Sequence, residues 1–199
     1  MKLFAFTDVH GDRNIIKKII KEAKEEHPDI LICAGDLSNF GINFNRLLSM
    51  FETLKLPLLI IPGNHETQEL VKNACKKTNF AISIHKGVFK LNNYFFFGYG
   101  EGGFEKEDRE FENLAKKFKK EINKNSKVIL ITHAPPYKTN LDYLENTNSY
   151  HGNNSIRKFI EEVHPLINIC GHLHENENKI GKINNTIIIN PGKGKIIEI

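Results

Sequence analysis

Cysteine is scarce in this chain, and the little present is scattered. Cys33, Cys75 and Cys170 are three thiols in 199 residues, an odd number without a Cys-x-x-Cys spacing. That argues against a disulfide framework or a thiolate zinc site and fits buried thiols in a reducing compartment. Long apolar runs are also missing. The longest falls far short of the ~20 residues that cross a bilayer. The opening Met1-Lys2-Leu3-Phe4-Ala5-Phe6 faintly resembles a secretory signal, but Asp8 and His10 cut the apolar stretch off, so no targeting segment is expected. Charge of one sign is weak, with 28 basic against 24 acidic residues and a net charge of +4. This permits acidic substrates but gives no electrostatic footprint for nucleic acid, and no basic platform interleaved with aromatic residues is visible. The expectation is a cytoplasmic protein that does not associate with membranes and meets nucleic acid, if at all, only as substrate; nothing in the sequence speaks to its oligomeric state.

What is present is ordinary for a globular chain: 40% hydrophobic and 26% charged residues. The length suits a single domain over residues 1–199 with a sizeable core. Residues 2–7, 29–33, 58–61, 127–132 and 166–170 read as buried strands. Residues 13–27, 43–54, 67–77, 105–123 and 155–163 carry apolar residues at helical spacing, with Thr67 placed to cap the third of these helices. His27-Pro28 and His164-Pro165 stop two helices, and the two histidines read as helix C-terminal residues. The pieces 81–84, 88–91 and 94–98 are short and β-rich, and Lys86-Gly87 and Asn92-Asn93 between them read as hairpin turns. Strand-like pieces at 179–183, 186–190 and 195–199 close the chain. Residues 25–33 echo residues 161–170: each is a helix end, a stop and a strand leading to glycine, which suggests two similar halves facing each other.

Chemistry gathers where these strands end. Gly63-Asn64-His65-Glu66 follows the Leu/Ile run 58–61, with an amide oxygen able to bind metal beside an imidazole able to move protons. Ligand sites in open α/β sheets lie outside the carboxyl ends of strands. Four further strand ends carry the same residue types: Asp8 and His10, Asp36, His133, and His172 with His174. Each histidine alone could be structural, but five of the nine fall at such ends. Carboxylate, amide oxygen and imidazole without thiolate suit Mn, Fe, Zn or a similar divalent ion. The ligands are too many for one ion; two ions sharing a carboxylate would use them, activate a water and clamp a phosphoryl group.

Asp8-x-His10, Gly35-Asp36, Gly63-Asn64-His65-Glu66, His133 and Gly171-His172-x-His174 together resemble, in order, the motifs of the calcineurin-like metallophosphoesterases. The compact prokaryotic phosphoesterases of that superfamily are the nearest type. The resemblance implies an α/β fold, a four-layer α-β-β-α sandwich of two facing mixed sheets flanked by helices. It implies two divalent transition-metal ions (Mn, Fe, Zn or Ni): one held by Asp8, His10, Asp36 and His174, the other by Asp36, Asn64, His133 and His172, with Asp36 bridging. It makes His65 the general acid or an electrostatic stabiliser rather than a ligand, with Glu66 orienting it. The activity implied is hydrolysis of small phosphate mono- or diesters by a hydroxide held at the metals. A nuclease, or a metal-binding scaffold for protein partners, are the alternatives.

Other motifs read more plainly. Gly98-Tyr99-Gly100-Glu101-Gly102-Gly103 is a flexible loop rather than a phosphate cradle, Phe95-Phe96-Phe97 is core, Cys170 is a buried small residue, and Asn190-Pro191-Gly192 is a turn at the rim of the site. Residues 137–154 show no clear period and leave directly from His133, so they are expected to set substrate choice, with His151 foremost.

Overall fold

Strand 2–7 alternates poorly because both of its faces are buried. In the computed structural model, which describes residues 1–103 and 105–199, Phe4 and Phe6 point to one apolar layer while Leu3 and Ala5 point to another. Such two-sided burial is what a parallel sheet covered on both faces requires.

The elements in chain order are β1 (Lys2–Phe6), α1 (Arg13–Glu26), β2 (Ile30–Cys33), α2 (Phe44–Ser49), β3 (Leu58–Ile60), α3 (Gln68–Cys75), β4 (Ala81–Ser83), β5 (Gly87–Leu91) and β6 (Tyr94–Tyr99). They continue with α4 (Arg109–Phe118), β7 (Lys127–Thr132), β8 (Tyr143–Leu144), β9 (Ser149–Tyr150), α5 (Asn154–Val163), β10 (Ile167–Ile169), β11 (Ile180–Ile183), β12 (Thr186–Ile189) and β13 (Lys195–Glu198). Short 3₁₀ helices cover Met50–Leu54 and His174–Asn176. Helix starts are set by side-chain caps: Asp12, Thr67, Asp108 and Asn153 each accept a backbone N–H of the first turn. His27 and His164 end α1 and α5 in the left-handed conformation, each ahead of a proline.

Two mixed sheets result, ordered β13-β1-β2-β3-β4 and β11-β12-β10-β7-β6-β5. Strands β1 to β4 run parallel with β13 antiparallel at one edge. In the second sheet β12, β10, β7 and β6 run parallel, and β11 and β5 are antiparallel edges. Helices α1, α2 and α3 cover the first sheet through Ile16, Ile19, Leu47 and Val71, joined by Phe51 of the first 3₁₀ helix. Leu59, Ile129, Ile131 and Ile169 fill the space between the sheets. Phe111, Phe118 and Phe159 of α4 and α5 cover the second sheet. The order of layers is helix, sheet, sheet, helix, as the resemblance implied. The two echoing segments supply β2 and β10, one to each sheet.

Three local expectations need correction. Lys86-Gly87 is not a hairpin turn: β4 pairs in parallel with β3, β5 pairs with β6, and the dipeptide carries the chain from one sheet to the other. Of the two dipeptides, Asn92-Asn93 alone closes a hairpin, between β5 and β6. The helix expected over 105–123 is confined to Arg109–Phe118, because the Asp108 carboxylate caps Phe111 N and starts it late. The helix expected over 43–54 tightens into 3₁₀ geometry after Ser49.

Candidate metal centre

The carboxyl ends of β1, β2 and β3 from one sheet, and of β7 and β10 from the other, open onto the same place. Backbone hydrogen bonds tie these ends together: Asp8 N donates to Gly35 O (3.1 Å), His10 N to Asp36 O (2.9 Å) and Gly171 N to His133 O (2.9 Å). Asp8, His10, Asp36 and His172 all hold positive φ, between 51° and 73°. For a residue with a Cβ this costs on the order of 1 kcal/mol or more and persists only where surrounding bonds over-determine it. The His172 N–H, for example, donates to the Asp8 carboxylate at 3.0 Å.

The glycines of the motifs are there for close approach. A Cβ on Gly63 would collide with Asp36 Oδ1, and one on Gly171 would fall 2.5 Å from Asp8 Oδ2. The chain can therefore pass directly behind both carboxylates.

Every residue singled out as a ligand converges here. His10 Nε2 and His174 Nε2 are 3.0 Å apart, and Asp8 Oδ1 lies 3.9 Å from the first and 3.5 Å from the second. Asn64 Oδ1 is 2.9 Å from both His133 Nε2 and His172 Nδ1. The buried Asp36 sits between these sets, its Oδ2 3.8 Å from His10 Nε2 and 3.5 Å from His133 Nε2. Asp8, His10 and His174; His10, Asp36 and His65; and Asp8, Asp36 and His133 each place three donor atoms within 4.8 Å of one another, a spacing that could hold a metal ion. The His133 Nδ1–H donates to Ala34 O (2.9 Å), which fixes the ring and turns Nε2 inward.

Electrostatics follow from this crowding. Burial opposes charge on Asp8, but the His174 hydrogen bond and the charge of His133 outweigh it and hold the carboxyl down to about 2. Burial likewise opposes charge on His133, yet its bond to Asp36 and the nearby carboxylates lift it to about 9. His172, half-buried and beside His133, is lowered to about 4, by desolvation first and then by the charge of His133. His10 is lowered by burial, against the pull of Asp36 and Asp8.

The role read for Glu66 is corrected. Its buried carboxylate does not touch His65. Oε2 accepts from Asp36 N (3.0 Å) and Gly63 N (3.1 Å), and Oε1 accepts from Ser38 N (2.6 Å) and Ser38 Oγ (2.8 Å). Glu66 thus clamps the Asp36 loop to the Gly63 loop, and burial raises its pKa. His65 is oriented instead by Asn39, whose Oδ1 accepts from His65 Nδ1 (3.0 Å), while the His65 N–H donates to Asp36 Oδ1 (2.9 Å). The exposed Phe40 ring lies 4.3 Å from the His65 ring, centroid to centroid.

Sequence reading missed Asn39, Ser38 and Lys193. Asn39 stands three residues past Asp36, a spacing that could have flagged it. Lys193 Nζ donates to Asp8 O and lies 3.7 Å from Glu177 Oε2. It follows the Asn190-Pro191-Gly192 turn, which does reach the rim, where Gly192 O accepts from Thr7 N (2.9 Å). The glycine run after β6 lies against the site through Glu101 N, which donates to Pro62 O (3.0 Å). His151 has no contact with the ligand cluster; its Nε2 lies 2.7 Å from Ser149 Oγ and 3.2 Å from Thr147 Oγ1 within its own hairpin.

Two facing sheets whose strand ends pool carboxylates, an amide and imidazoles define a metal-site α/β sandwich. Within that class the chain belongs to the calcineurin-like phosphoesterase family, whose model matches residues 1–176. It is 33% identical to the uncharacterized protein MJ1162 of Methanocaldococcus jannaschii, over 96% of this chain and 88% of that one. It is 26% identical to a probable glycerophosphodiester phosphodiesterase, GpdQ, of Arcobacter nitrofigilis, over 74% of this chain but only 57% of that relative's length. Its fold is shared with the crystal structure of TT1561 of Thermus thermophilus, at a TM-score of 0.76 and 16% identity, covering 96% of this chain and 88% of the other.

Proposed function

We propose that this chain, acting as one domain over residues 1–199, hydrolyses small phosphate mono- or diesters at a two-metal centre. The observation that carries the reading is the position of Asp36, buried between two clusters of donor atoms, with His10 and His133 on either side of one oxygen. The donor set fits the group: imidazole nitrogens 3.0 Å apart (His10 and His174), and an amide oxygen facing two more, are arrangements that divalent ions of the Mn, Fe, Zn or Ni kind accept readily. Asp8, His10, Asp36 and His174 would hold one ion, and Asp36, Asn64, His133 and His172 the other. When bound, such a pair supplies Lewis acidity to activate water and to neutralise charge on the phosphoryl oxygens.

The chain's own residues would do the rest. Asn39 holds His65 Nδ1, so His65 Nε2 faces the reaction and delivers a proton to the leaving oxygen. Glu66 and Ser38 keep the Asp36 and Gly63 loops in register, which would hold the Asp36 carboxylate in place for both ions. Lys193 holds the backbone behind Asp8. The probable phosphodiesterase activity named for the Arcobacter relative supports diesters as the first substrates to try. Buried free thiols at Cys33, Cys75 and Cys170 support a cytoplasmic location, and among the described residues no helix is long and apolar enough to cross a membrane.

The test is turnover of a chromogenic phosphodiester and its matching monoester by metal-stripped protein reloaded with Mn, Fe, Zn or Ni in turn. Metal-dependent release of chromophore is expected. Absence of turnover with every ion, at full metal occupancy, would leave a metal-binding scaffold as the better reading.

A further inference from the structure

Beside the centre lies a second pocket of about 280 Å³, and His10 forms part of its wall. Its other walls come from Arg13 at the start of α1 and from Asn39, Ile42, Asn43 and Arg46 in and around the loop entering α2. The chain has only four arginines, and two of them meet here. Arg157, by contrast, is engaged with Glu161 (2.8 Å) and with the carbonyls of Tyr137 and Lys138. Arg13 and Arg46 have no ion pair or side-chain hydrogen bond among the described residues. Asp12, the nearest carboxylate in sequence, is committed to the N–H groups of Asn14 (2.7 Å) and Ile15 (3.2 Å). Asn43 occupies the N-cap position of α2 with φ 57°, yet its side chain makes no capping bond. Two guanidinium groups and a carboxamide are therefore unspent around one cavity. Asn39 joins that cavity to the chemistry, since the same side chain lines the pocket and holds His65.

We propose that this pocket is the subsite for a second anionic group on the leaving portion of the substrate. The preferred esters would be those whose leaving alcohol itself carries a phosphate or comparable dianion. This rests on the phosphoesterase reading above, because the scissile phosphoryl group must sit on the metals for the leaving group to extend past His65 and His10. Guanidinium donors match phosphate oxygens in pairs, and lysine does not, which gives the two arginines a reason in a chain whose other surface cations are almost all lysine.

The experiment is calorimetric titration of Mn-loaded protein with propylphosphonate and with propane-1,3-bisphosphonate, with a six-carbon bisphosphonate added to vary the span. None of these compounds is hydrolysed. The native protein is expected to bind one of the bisphosphonates about 10–100-fold tighter than the monophosphonate, the range of one or two charge-assisted hydrogen bonds. In Arg13→Gln/Arg46→Gln that ratio should fall to within about threefold of unity, with each single variant intermediate. Equal affinity of mono- and bisphosphonates for native protein overturns the subsite. So does an advantage that survives in the double variant, since that would be chelation by the metals alone. If esters are turned over normally while either result is seen, the subsite falls and the activity stands. If no ester is turned over but the arginine-dependent advantage is present, the activity falls and the anion subsite stands.

Discussion

At the scale of single residues, the constellation of ligand types was legible because each stands at the end of an apolar run, most of them beside a glycine. The second layer was not. Glu66 adjoins His65 in sequence, and adjacency suggested that it orients that ring. Its real partners, Ser38 and Asp36, are 28 and 30 residues away and reach it only because β2 and β3 are neighbours. Glu66→Ala should therefore leave three backbone N–H groups without partners, each worth about 1–3 kcal/mol when buried. A fall in melting temperature and loss of metal are expected together, read by calorimetry and metal analysis. Asp36→Ala should lose most of both ions, since one carboxylate faces both donor clusters; two ions per chain in that variant would remove its bridging role. His65→Ala should keep metal and fold but lose roughly 10²–10⁴ in rate. The loss should shrink for leaving groups of low pKa, which need less protonation. A loss that is equal across leaving groups would assign His65 to positioning the phosphoryl group.

At the scale of elements, strand and helix cores were readable and their partners were not. β4 and β5 look like the arms of a hairpin because each is short and Lys86-Gly87 stands where a turn would. Which sheet each joins is decided by β3 and β6, and no local signal reports that. Asp108 lies in an acidic stretch where any carboxylate could have been the cap. Residues 137–154 show no period because they hold the two-residue strands β8 and β9, too short to alternate. The buried Asp142 organises this segment, accepting from Lys138 N (3.0 Å), Thr139 N (2.6 Å) and Gly152 N (2.9 Å). The segment reaches the centre indirectly: Asn176, in the 3₁₀ helix begun by His174, donates to Leu141 O (2.7 Å) and Tyr143 O (3.2 Å). Asp142→Ala should loosen that helix and weaken the ion that His174 is proposed to hold, with the other ion less affected, as metal analysis would read. His151→Ala should leave the ratios of kcat/KM among substrates within about twofold, since its ring is bonded inside the hairpin. A larger change in those ratios would restore His151 as a substrate contact.

At the scale of the whole molecule, the two halves meet through charge as well as through the Ile and Leu layer between the sheets. His133 comes from the second sheet, and its partners Asp36 and Asp8 come from the first. In metal-free protein this pairing stabilises the fold in a defined pH window. His133 is raised from 6.5 to about 9, so its contribution is complete below 6.5 and is lost as pH rises through about 9. Asp8 is lowered from 3.8 to about 2, so its contribution is complete above 3.8 and is lost as pH falls through about 2. The metal-free protein should therefore be most stable between these limits and soften toward pH 9. Metal binding at the proposed site would act in the opposite sense, because His133 would have to release its proton to offer Nε2 as a ligand. From about pH 6 to about pH 9 the melting temperature of metal-free protein should fall while the increment added by saturating Mn grows. Titrations of Mn into metal-free protein at about pH 7, run in buffers of different ionisation enthalpy, should show net proton release. His133→Asn, which carries no titrating group, should abolish most of that release. A Mn increment that stays flat across this range, with no proton released, would mean that the pair between the sheets is not where the metal enters.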